Sequence, residues 1–314
     1  MSERSSRGVE ADPANVVVTA SAQQAVGLVA RVLVRPGDRV VMEDPGYAPV
    51  RWSLESLGIE VVPVPVDAEG IVVDAIPPGV RLVYVTPSHQ SPTGATMSLP
   101  RRRALLDLAA RRDVAVVEDD YDSEFRHTDR PLEPLFRLDR SGRVVYVGTF
   151  SKILSPSVRL GVVAVPDSLT EAVVALAAHT GGQPPAVTQQ AMHELIGSGH
   201  LDRHLRRARR AYAARHARAA ELVGELVADS LLLPGPPSYA GLHLSARLPD
   251  GVMESDVLTR ARQAGVALTA LATSWSGPPG WQGLLIGYGR ADGAALDDGI
   301  GRLRDVLASS VVRR

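Results

Sequence analysis

A single lysine is the residue in this sequence whose type and place most clearly suit chemistry. Of the 34 basic residues in the 314-residue chain, Lys152 is the only lysine and the other 33 are arginine. An arginine side chain stays protonated in proteins, whereas a lysine can supply a neutral amine once its pKa is lowered. Lys152 ends a small, hydroxyl-rich turn, Gly148–Lys152, that follows the apolar run Val144–Val147. The chemistry that fits is a Schiff base to a carbonyl compound such as pyridoxal phosphate (PLP), and the alternative is a chance surface lysine.

Two further groups suit the charged ends of PLP. Asp119 comes just after a buried apolar run and could keep the pyridine nitrogen protonated. The alternative for it is a solvated acidic turn over residues 118–120. The phosphate needs backbone N–H groups at a helix N-terminus, and Ser21, Ala22 and Gln23 open a helix with small residues. Ser21 could equally be an ordinary N-cap.

Two tyrosines and one arginine complete this candidate cofactor site. Tyr121 could hydrogen-bond the ring oxygen of PLP, and Tyr47 could stack on the ring face. Either tyrosine could instead be a core or rim aromatic. Arg159 lies seven residues after Lys152 and leads into another apolar run, so its guanidinium could neutralise a phosphate. A surface ion pair is the alternative for this arginine.

The elements that must position these groups alternate between short β-branched runs and longer helical patterns. Strands are predicted at Val16–Thr19, Arg39–Met42, Glu60–Val64, Arg81–Val85, Val114–Val117, Val144–Val147, Leu160–Val165, Gly241–Ala246 and Gly283–Gly287. Helices are predicted at Ala22–Leu33, about Val50–Leu57, Pro100–Arg112, Asp167–Ala178, Ala186–Gly197, His200–Ala228, Glu254–Ala264 and Ala294–Ala308. Strands that are apolar on both faces and separated by helices predict an α/β fold with a mainly parallel sheet. In such sheets ligands bind beyond the carboxyl ends of the strands, where the candidate residues fall.

Composition and charge narrow the class of protein. A net charge of -1 argues against a nucleic-acid footprint over the whole surface, and the basic run Arg203–Arg210 keeps the spacing of a solvated helix face. The chain has no cysteine, which excludes disulfides and thiol nucleophiles, and its histidines lack metal-ligand spacing, so no metal is expected. No apolar run approaches the roughly 20 residues of a membrane span, and residues 1–12 are polar. We therefore expect a cytoplasmic protein without membrane contact.

Several strings together resemble fold-type I PLP-dependent aminotransferases, and specifically the aminotransferase-like domain of MocR/GabR-type bacterial regulators. The resemblance covers about residues 8–308, and the acidic block and the lysine block at their mutual spacing are its most specific part. The matching strings are Glu43–Tyr47, Thr86–Gln90 with Pro92–Gly94, Met97–Arg102, Glu118–Phe125, Gly148–Lys152, His200–Arg207 and Ile286–Tyr288.

The resemblance implies a role for each candidate residue. Lys152 becomes the Schiff-base lysine and general base, Asp119 the partner of the pyridine nitrogen, Tyr121 the partner of the ring oxygen and Tyr47 the stacking residue. The residues implied around the phosphate are Ser21, Ala22, Gln23, Thr149, Ser151 and Arg159. His89 and Ser91 are also implied as cofactor-binding residues, although Ser91 stands where many aminotransferases have asparagine. Arg290, a few residues after a final strand that lacks the family's arginine, is the candidate for binding the substrate.

The expected organisation is a polar N-terminal segment, residues 1–15, a large PLP-binding domain, residues 16–175, and a small C-terminal α+β domain, residues 176–314. The large domain is expected to have the seven-stranded type of sheet with helices on both faces. Family members are typically homodimers, and no direct DNA binding is expected because the chain starts after the helix-turn-helix domain of such regulators.

The leading functional hypothesis is a PLP-dependent aminotransferase that acts on an amino acid or amine. The alternatives are a non-catalytic domain that binds PLP and an amino compound, as a relative of a transcription regulator, and a fragment that no longer folds.

Overall fold

The computed structural model describes residues 8–127, 133–180 and 182–311. Its larger sheet has eight strands in the order β1-β8-β7-β6-β5-β2-β3-β4. The strands are β1 Val16–Thr19, β2 Arg39–Asp44, β3 Glu60–Asp67, β4 Gly70–Ile71, β5 Leu82–Val85, β6 Ala115–Asp120, β7 Val144–Thr149 and β8 Gly161–Ala164. The helices between and after them are α1 Ala22–Leu33, α2 Ala48–Glu55, α3 Leu99–Arg112, α4 Leu135–Leu138 and α5 Asp167–His179.

Five neighbouring strands of this sheet, from β7 through β6, β5 and β2 to β3, run parallel, as predicted. Strand β8 runs antiparallel to both of its neighbours, and the two-residue β4 is antiparallel to β3. The prediction of a mainly parallel sheet is therefore confirmed. The predicted count of seven strands is one too low, because β4 adds a short edge strand that has too few residues for a periodic signal.

The two faces of the sheet bury alternate residues of the same strands. On β2, Val40 and Met42 belong to one apolar core while Val41 belongs to the other. Strand β6 shows the same alternation, with Val117 in the first core and Val116 in the second. Side chains of a strand point to opposite faces in turn, so strands buried on both sides must be apolar at nearly every position. Helices α1, α2 and α5 cover the first face, and α3 and α4 cover the second.

The C-terminal part of the chain forms a second layer around a three-stranded antiparallel sheet in the order β10-β11-β9. Its elements are α6 Ala186–Gly197, α7 His200–Ala228, β9 His243–Arg247, α8 Glu254–Gln263, β10 Thr269–Ala270, β11 Gly283–Gly287 and α9 Gly293–Val311. A separate apolar core joins α7, α8 and α9 to this sheet.

The predicted helices and long strands lie where the sequence patterns put them, within a few residues at the ends. Among the strands and α-helices of the described residues, the short β4, β10 and α4 were not predicted. The boundary predicted between residues 175 and 176 falls inside α5, whose Val173 and Ala177 both pack in the core of the larger sheet. The division into two domains stays a prediction. None of the helices in the described ranges is long and apolar enough to cross a membrane.

Candidate active site

A cavity of about 450 Å³ opens beyond the carboxyl ends of the parallel strands. One side of it is built from the ends of β5, β6 and β7 and the N-termini of α1 and α2, and the other side from β10 and β11. Residues far apart in sequence meet there because parallel strands end at the same edge of the sheet. Eleven of the twelve residues predicted to bind the cofactor line it, namely Ser21, Ala22, Gln23, Tyr47, Ser91, Asp119, Tyr121, Thr149, Ser151, Lys152 and Arg159.

Two predicted site residues do not line the cavity. His89 is buried, and its ring contacts the Tyr121 hydroxyl, so it lies behind a residue of the cavity wall. Arg290 is exposed in the loop after β11, which ends at Gly287, and it is absent from the cavity lining. Neither residue is among those that line this cavity, and their predicted roles in binding stay predictions.

Lys152 lies three residues beyond the end of β7, on the turn that the sequence indicated. The turn is held by its own hydroxyl groups. Thr149 Oγ1 is 3.0 Å from Ser151 Oγ and accepts a hydrogen bond from the Ser151 N–H at 3.2 Å. A turn fixed in this way places the lysine at the rim of the sheet, with its side chain exposed to solvent.

Asp119 occupies the strand next to that of the lysine. It is 3% exposed, and its Oδ2 accepts a 2.6 Å hydrogen bond from the Tyr84 hydroxyl. The register explains the contact: Tyr84 pairs with Val117 on β6, and Asp119 follows two residues later on the same face. Burial, followed by the nearby charge of Asp119, raises the pKa of Tyr84 well above its ordinary value, so this tyrosine remains a hydrogen-bond donor.

The N-terminus of α1 approaches the strand ends very closely. Ser21 is its N-cap, with its hydroxyl oxygen accepting from the Gln24 N–H at 3.1 Å. A Cβ at Gly161 would lie 3.0 Å from the Gly148 carbonyl oxygen and 3.0 Å from the Ser21 carbonyl carbon. Glycine at this position therefore allows α1, β7 and β8 to meet, which leaves the helix N-terminus open toward the cavity.

Arg159 has an unusual backbone for its residue type. It has a φ of 52° and a ψ of 48°, in the left-handed region, at the end of a short 3-10 helix, Pro156–Val158. Non-glycine residues in that region are uncommon, and such strain is concentrated at functional sites. Arg159 lies in the cavity wall, together with Ser151 and Lys152.

The two predicted tyrosines line the cavity from different strand ends. Tyr47 is the residue just before α2, and burial, with the charge of Asp119 adding to it, raises its pKa. Tyr121 directly follows β6, and burial also raises its pKa, with the charges of Asp122 and Asp119 contributing in the same direction. The Ser91 side chain, in the loop after β5, lowers the pKa of Tyr121 and so partly opposes this rise. Both phenols are therefore neutral donors near neutral pH.

The sequence patterns missed a buried carboxyl next to the cavity. Glu43, 2% exposed, accepts hydrogen bonds at Oε2 from the Thr86 hydroxyl at 2.6 Å and from the Gln90 amide at 3.2 Å. Burial raises its pKa to about 7, with the charge of Asp119 adding to the rise and these hydrogen bonds opposing it. The available signal was a carboxylate inside the apolar strand β2, but its partners depend on the register between β2 and β5.

The wall opposite the strand ends was also missed. It consists of Trp52, whose side chain is 55% exposed, and a mostly neutral strip from the C-terminal layer. That strip includes His243, Thr269, Ala270, Leu271, Thr273, Ser274 and Leu285. Burial lowers the pKa of His243 to about 3, so this histidine is neutral. Among the described residues that line the cavity, Lys152 and Arg159 are therefore the only cations.

A second cavity, of about 380 Å³, lies between α1 and the end of α5. Its lining includes Gln24, Leu28, Arg31 and Ala177 and none of the candidate residues. In the described part of the chain, no cluster of three or more histidine, aspartate or glutamate side chains has an arrangement that could hold a metal ion. The candidate chemistry is therefore concentrated in the larger cavity.

Comparisons with known proteins relate the chain to aminotransferases and to transcriptional regulators. The family model for class I and II aminotransferases matches residues 2–237. The chain is 40% identical over 306 residues to the probable rhizopine catabolism regulatory protein MocR of Rhizobium meliloti, covering 97% of this chain but only 62% of that protein. It is 31% identical over 307 residues to the 2-aminoadipate transaminase of Thermus thermophilus, covering 94% of this chain and 76% of that protein.

A solved structure agrees with the sequence relatives. LysN, the alpha-aminoadipate aminotransferase of Thermus thermophilus, complexed with N-(5'-phosphopyridoxyl)-L-leucine, matches with a TM-score of 0.88 and 28% identity. The match covers 96% of this chain and 79% of that one. MocR, like other transcriptional regulators among the relatives, extends well beyond the part that this chain matches. The family model spans most of the chain, and the fold agrees, so the chain belongs to the class I and II aminotransferase family, with the fold-type I architecture and a similarity to the aminotransferase region of MocR-type regulators.

Proposed function

We propose that this chain is a PLP-dependent aminotransferase that acts on an amino acid or amine. The observation that carries the proposal is the presence of the only lysine and a buried aspartate in the wall of one cavity, at the ends of the adjacent strands β7 and β6. An amine for an aldehyde and a carboxylate for a pyridine nitrogen are the two groups that PLP chemistry requires of a protein.

The donor set of the cavity fits the shape and charge of the cofactor. The phosphate would lie at the N-terminus of α1, against residues 21–23, with the guanidinium of Arg159 and the hydroxyls of Thr149 and Ser151 beside it. Asp119 would hold the proton of the pyridine nitrogen, and the Tyr84 hydroxyl would orient that carboxylate. Tyr121 would donate to the ring oxygen and Tyr47 would stack on the ring face.

The protein residues supply binding and proton transfer. When bound, PLP provides an electron sink for a carbon–hydrogen bond of the substrate. Lys152 Nζ would hold the cofactor at its aldehyde group. The same Nζ would move the proton of the substrate Cα, first as a general base and then as a general acid. The neutral wall of Trp52, Leu271 and Leu285 would exclude water from this transfer.

A non-catalytic role is the second candidate, and it is favoured by one observation. The relative with 40% identity is described as a regulatory protein, and this chain spans only 62% of its length. In that case the cavity would bind PLP and an amino compound without releasing a product. We also propose a homodimer, which is typical of the family, with both candidates sharing that assembly.

The first test is the visible absorption spectrum of the purified protein with added PLP, before and after borohydride. We expect a band that borohydride fixes covalently in the wild-type protein and that is lost in Lys152→Ala. Lys152→Arg is the matched control, because it keeps the positive charge but offers no nucleophilic amine. A covalent adduct that persists in Lys152→Ala would refute the assignment of the lysine.

The second test separates the enzyme from the sensor. The PLP-loaded protein is mixed with an amino acid and, separately, with the amine that lacks its carboxylate, and carbonyl products are measured. Release of a keto acid or aldehyde supports the aminotransferase. A stable spectral change without any carbonyl product supports the binding domain instead. Comparison of the amino acid with the amine also tests whether the cavity binds a substrate carboxylate, because the two compounds differ only in that group. Lys152 and Arg159 are the two cations among the described residues that line the cavity.

A further inference from the structure

A buried histidine and aspartate lie directly behind Tyr121, and neither lines the cavity. His89 and Asp122 are each 1% exposed, and 2.9 Å separates His89 Nδ1 from Asp122 Oδ2. The same Nδ1 lies 3.0 Å from the Tyr121 hydroxyl oxygen. One ring nitrogen therefore faces both a carboxylate and a hydroxyl, and it can either donate a hydrogen bond or accept one, depending on whether it carries a proton.

The loop before β9 packs very closely against His89 and Asp122. A Cβ at Gly241, which has a φ of +85°, would lie 2.0 Å from His89 Cε1 and 2.7 Å from Asp122 Oδ2. Only glycine fits there, so the loop before β9 closes tightly over the two side chains. His89 Nε2 lies 3.2 Å from Ser238 Oγ, and that hydroxyl donates at 3.1 Å to the Ala240 carbonyl, which leaves its lone pairs free to accept from the ring.

We propose that His89 and Asp122 are positioning residues that direct the hydroxyl proton of Tyr121 into the cavity. A carboxylate beside Nδ1 favours the forms of the imidazole that carry a proton on that nitrogen. With this proton in place, Nδ1 cannot accept a hydrogen bond from Tyr121. The O–H of Tyr121 is then left to donate toward the ring oxygen of the cofactor.

Removal of the Asp122 charge reverses this arrangement. In Asp122→Asn, the imidazole keeps its proton on Nε2, toward Ser238, and Nδ1 becomes an acceptor for the Tyr121 hydroxyl. The tyrosine then turns its proton away from the cavity while every side chain stays in its place. This inference rests on the proposed function, because the ring oxygen of PLP is the group that receives the hydrogen bond. The position of the proton on His89 does not depend on the cofactor.

The first experiment uses the protein without cofactor. Nitrogen-15 NMR of the histidine rings, with the His89 signals identified by their loss in His89→Phe, reports which ring nitrogens are protonated. We expect a protonated Nδ1 in the wild-type protein and an unprotonated Nδ1 in Asp122→Asn. Ser238→Ala is the control, since it removes the other partner of the ring and should leave Nδ1 protonated. An unprotonated Nδ1 in the wild-type protein would overturn the proposal.

The second experiment measures the pH at which the visible band of bound PLP changes, in the wild-type protein, Asp122→Asn, Tyr121→Phe and the double variant. A hydrogen bond to the ring oxygen stabilises its negative charge and lowers this apparent pKa. We expect Asp122→Asn to raise it by about one unit, a tenfold change in proton affinity, and to have no further effect in the Tyr121→Phe background.

The sign of the shift separates the proposal from a direct charge effect. Loss of a nearby negative charge would lower the apparent pKa of a protonated group, not raise it. A lowered pKa in Asp122→Asn, or a shift that persists without the Tyr121 hydroxyl, would refute the positioning role. If the wild-type protein binds no PLP at all, the proposed function fails, while the NMR experiment still decides where the proton of His89 lies.

Discussion

The buried carboxyl of Glu43 makes a quantitative prediction about stability against pH. Burial raises its pKa from 4.5 to about 7 in the folded protein, so the folded state holds the proton more tightly than the unfolded state does. A group whose pKa is higher in the folded than in the unfolded state adds most to the free energy of unfolding below its unfolded pKa. This contribution is lost as the pH rises through its pKa in the folded protein. Through this one group, we expect the free energy of unfolding to fall by about 2.5 kcal/mol between pH 5 and pH 8.

The variant Glu43→Gln removes the titration with little change of shape. An amide oxygen in the place of Oε2 can still accept from Thr86 and Gln90, and Oε1 has no hydrogen-bond partner among the described residues. We therefore expect the variant to gain stability relative to the wild-type protein as the pH rises, by about 2 to 3 kcal/mol from pH 5 to pH 8.

The assay is urea unfolding of both proteins without cofactor, at the same protein concentration and at each pH. Glu55→Gln, which changes an exposed carboxyl on α2, is the control, and its difference from the wild-type protein should stay nearly constant with pH. A wild-type to Glu43→Gln difference that changes by less than about 0.5 kcal/mol, or with the opposite sign, would refute the assigned pKa shift.

Two further substitutions test buried polar contacts. Tyr84→Phe removes the donor of the 2.6 Å bond to Asp119, and we expect urea unfolding to show a loss of about 1.5–3 kcal/mol, as for hydrogen bonds to charged groups. A loss below about 0.5 kcal/mol would mean that the contact is not formed in solution. Arg102→Met removes a fully buried guanidinium 3.6 Å from Glu118 and should destabilise the chain by about 3–5 kcal/mol. Arg103→Met, on the exposed side of the same helix, should change stability by less than about 0.5 kcal/mol, and equal effects of the two would contradict the burial argument.

Much of the fold is accessible from sequence because its signals are local. The β-branched runs of β2, β6 and β7 and the helical spacing of α6 and α7 depend only on neighbouring residues. Strand direction cannot be predicted from such local signals. Strand β8 is as apolar as its neighbours but runs antiparallel to them, and no residue type within it indicates that direction. Strands of two residues, such as β4 and β10, are too short to show any period.

Some residues of the candidate site could likewise be predicted from sequence, and others could not. Residues at strand ends can be grouped because all parallel strands end at one edge, and this rule alone predicts that Asp119 and Lys152 lie close together. The partners Tyr84 and Glu43 lie within strands, and their contacts depend on register between strands. Arg290 was expected in the site from the family resemblance, as the arginine nearest to the final strand. It is exposed in the loop after β11, and its role stays a prediction.

A single lysine in the wall of a cavity makes the protein selectively addressable. Amine-acylating reagents have only two targets in such a chain, the α-amino group and the exposed Nζ of Lys152. A lysine-specific protease divides the unfolded chain into two fragments, and a tag on Lys152 blocks that cut. A compound bound in the cavity shields Lys152 from the tag and so leaves the chain open to the cut. The ratio of cut to uncut chain on a gel therefore measures how much of the cavity is occupied, whether or not the compound absorbs visible light.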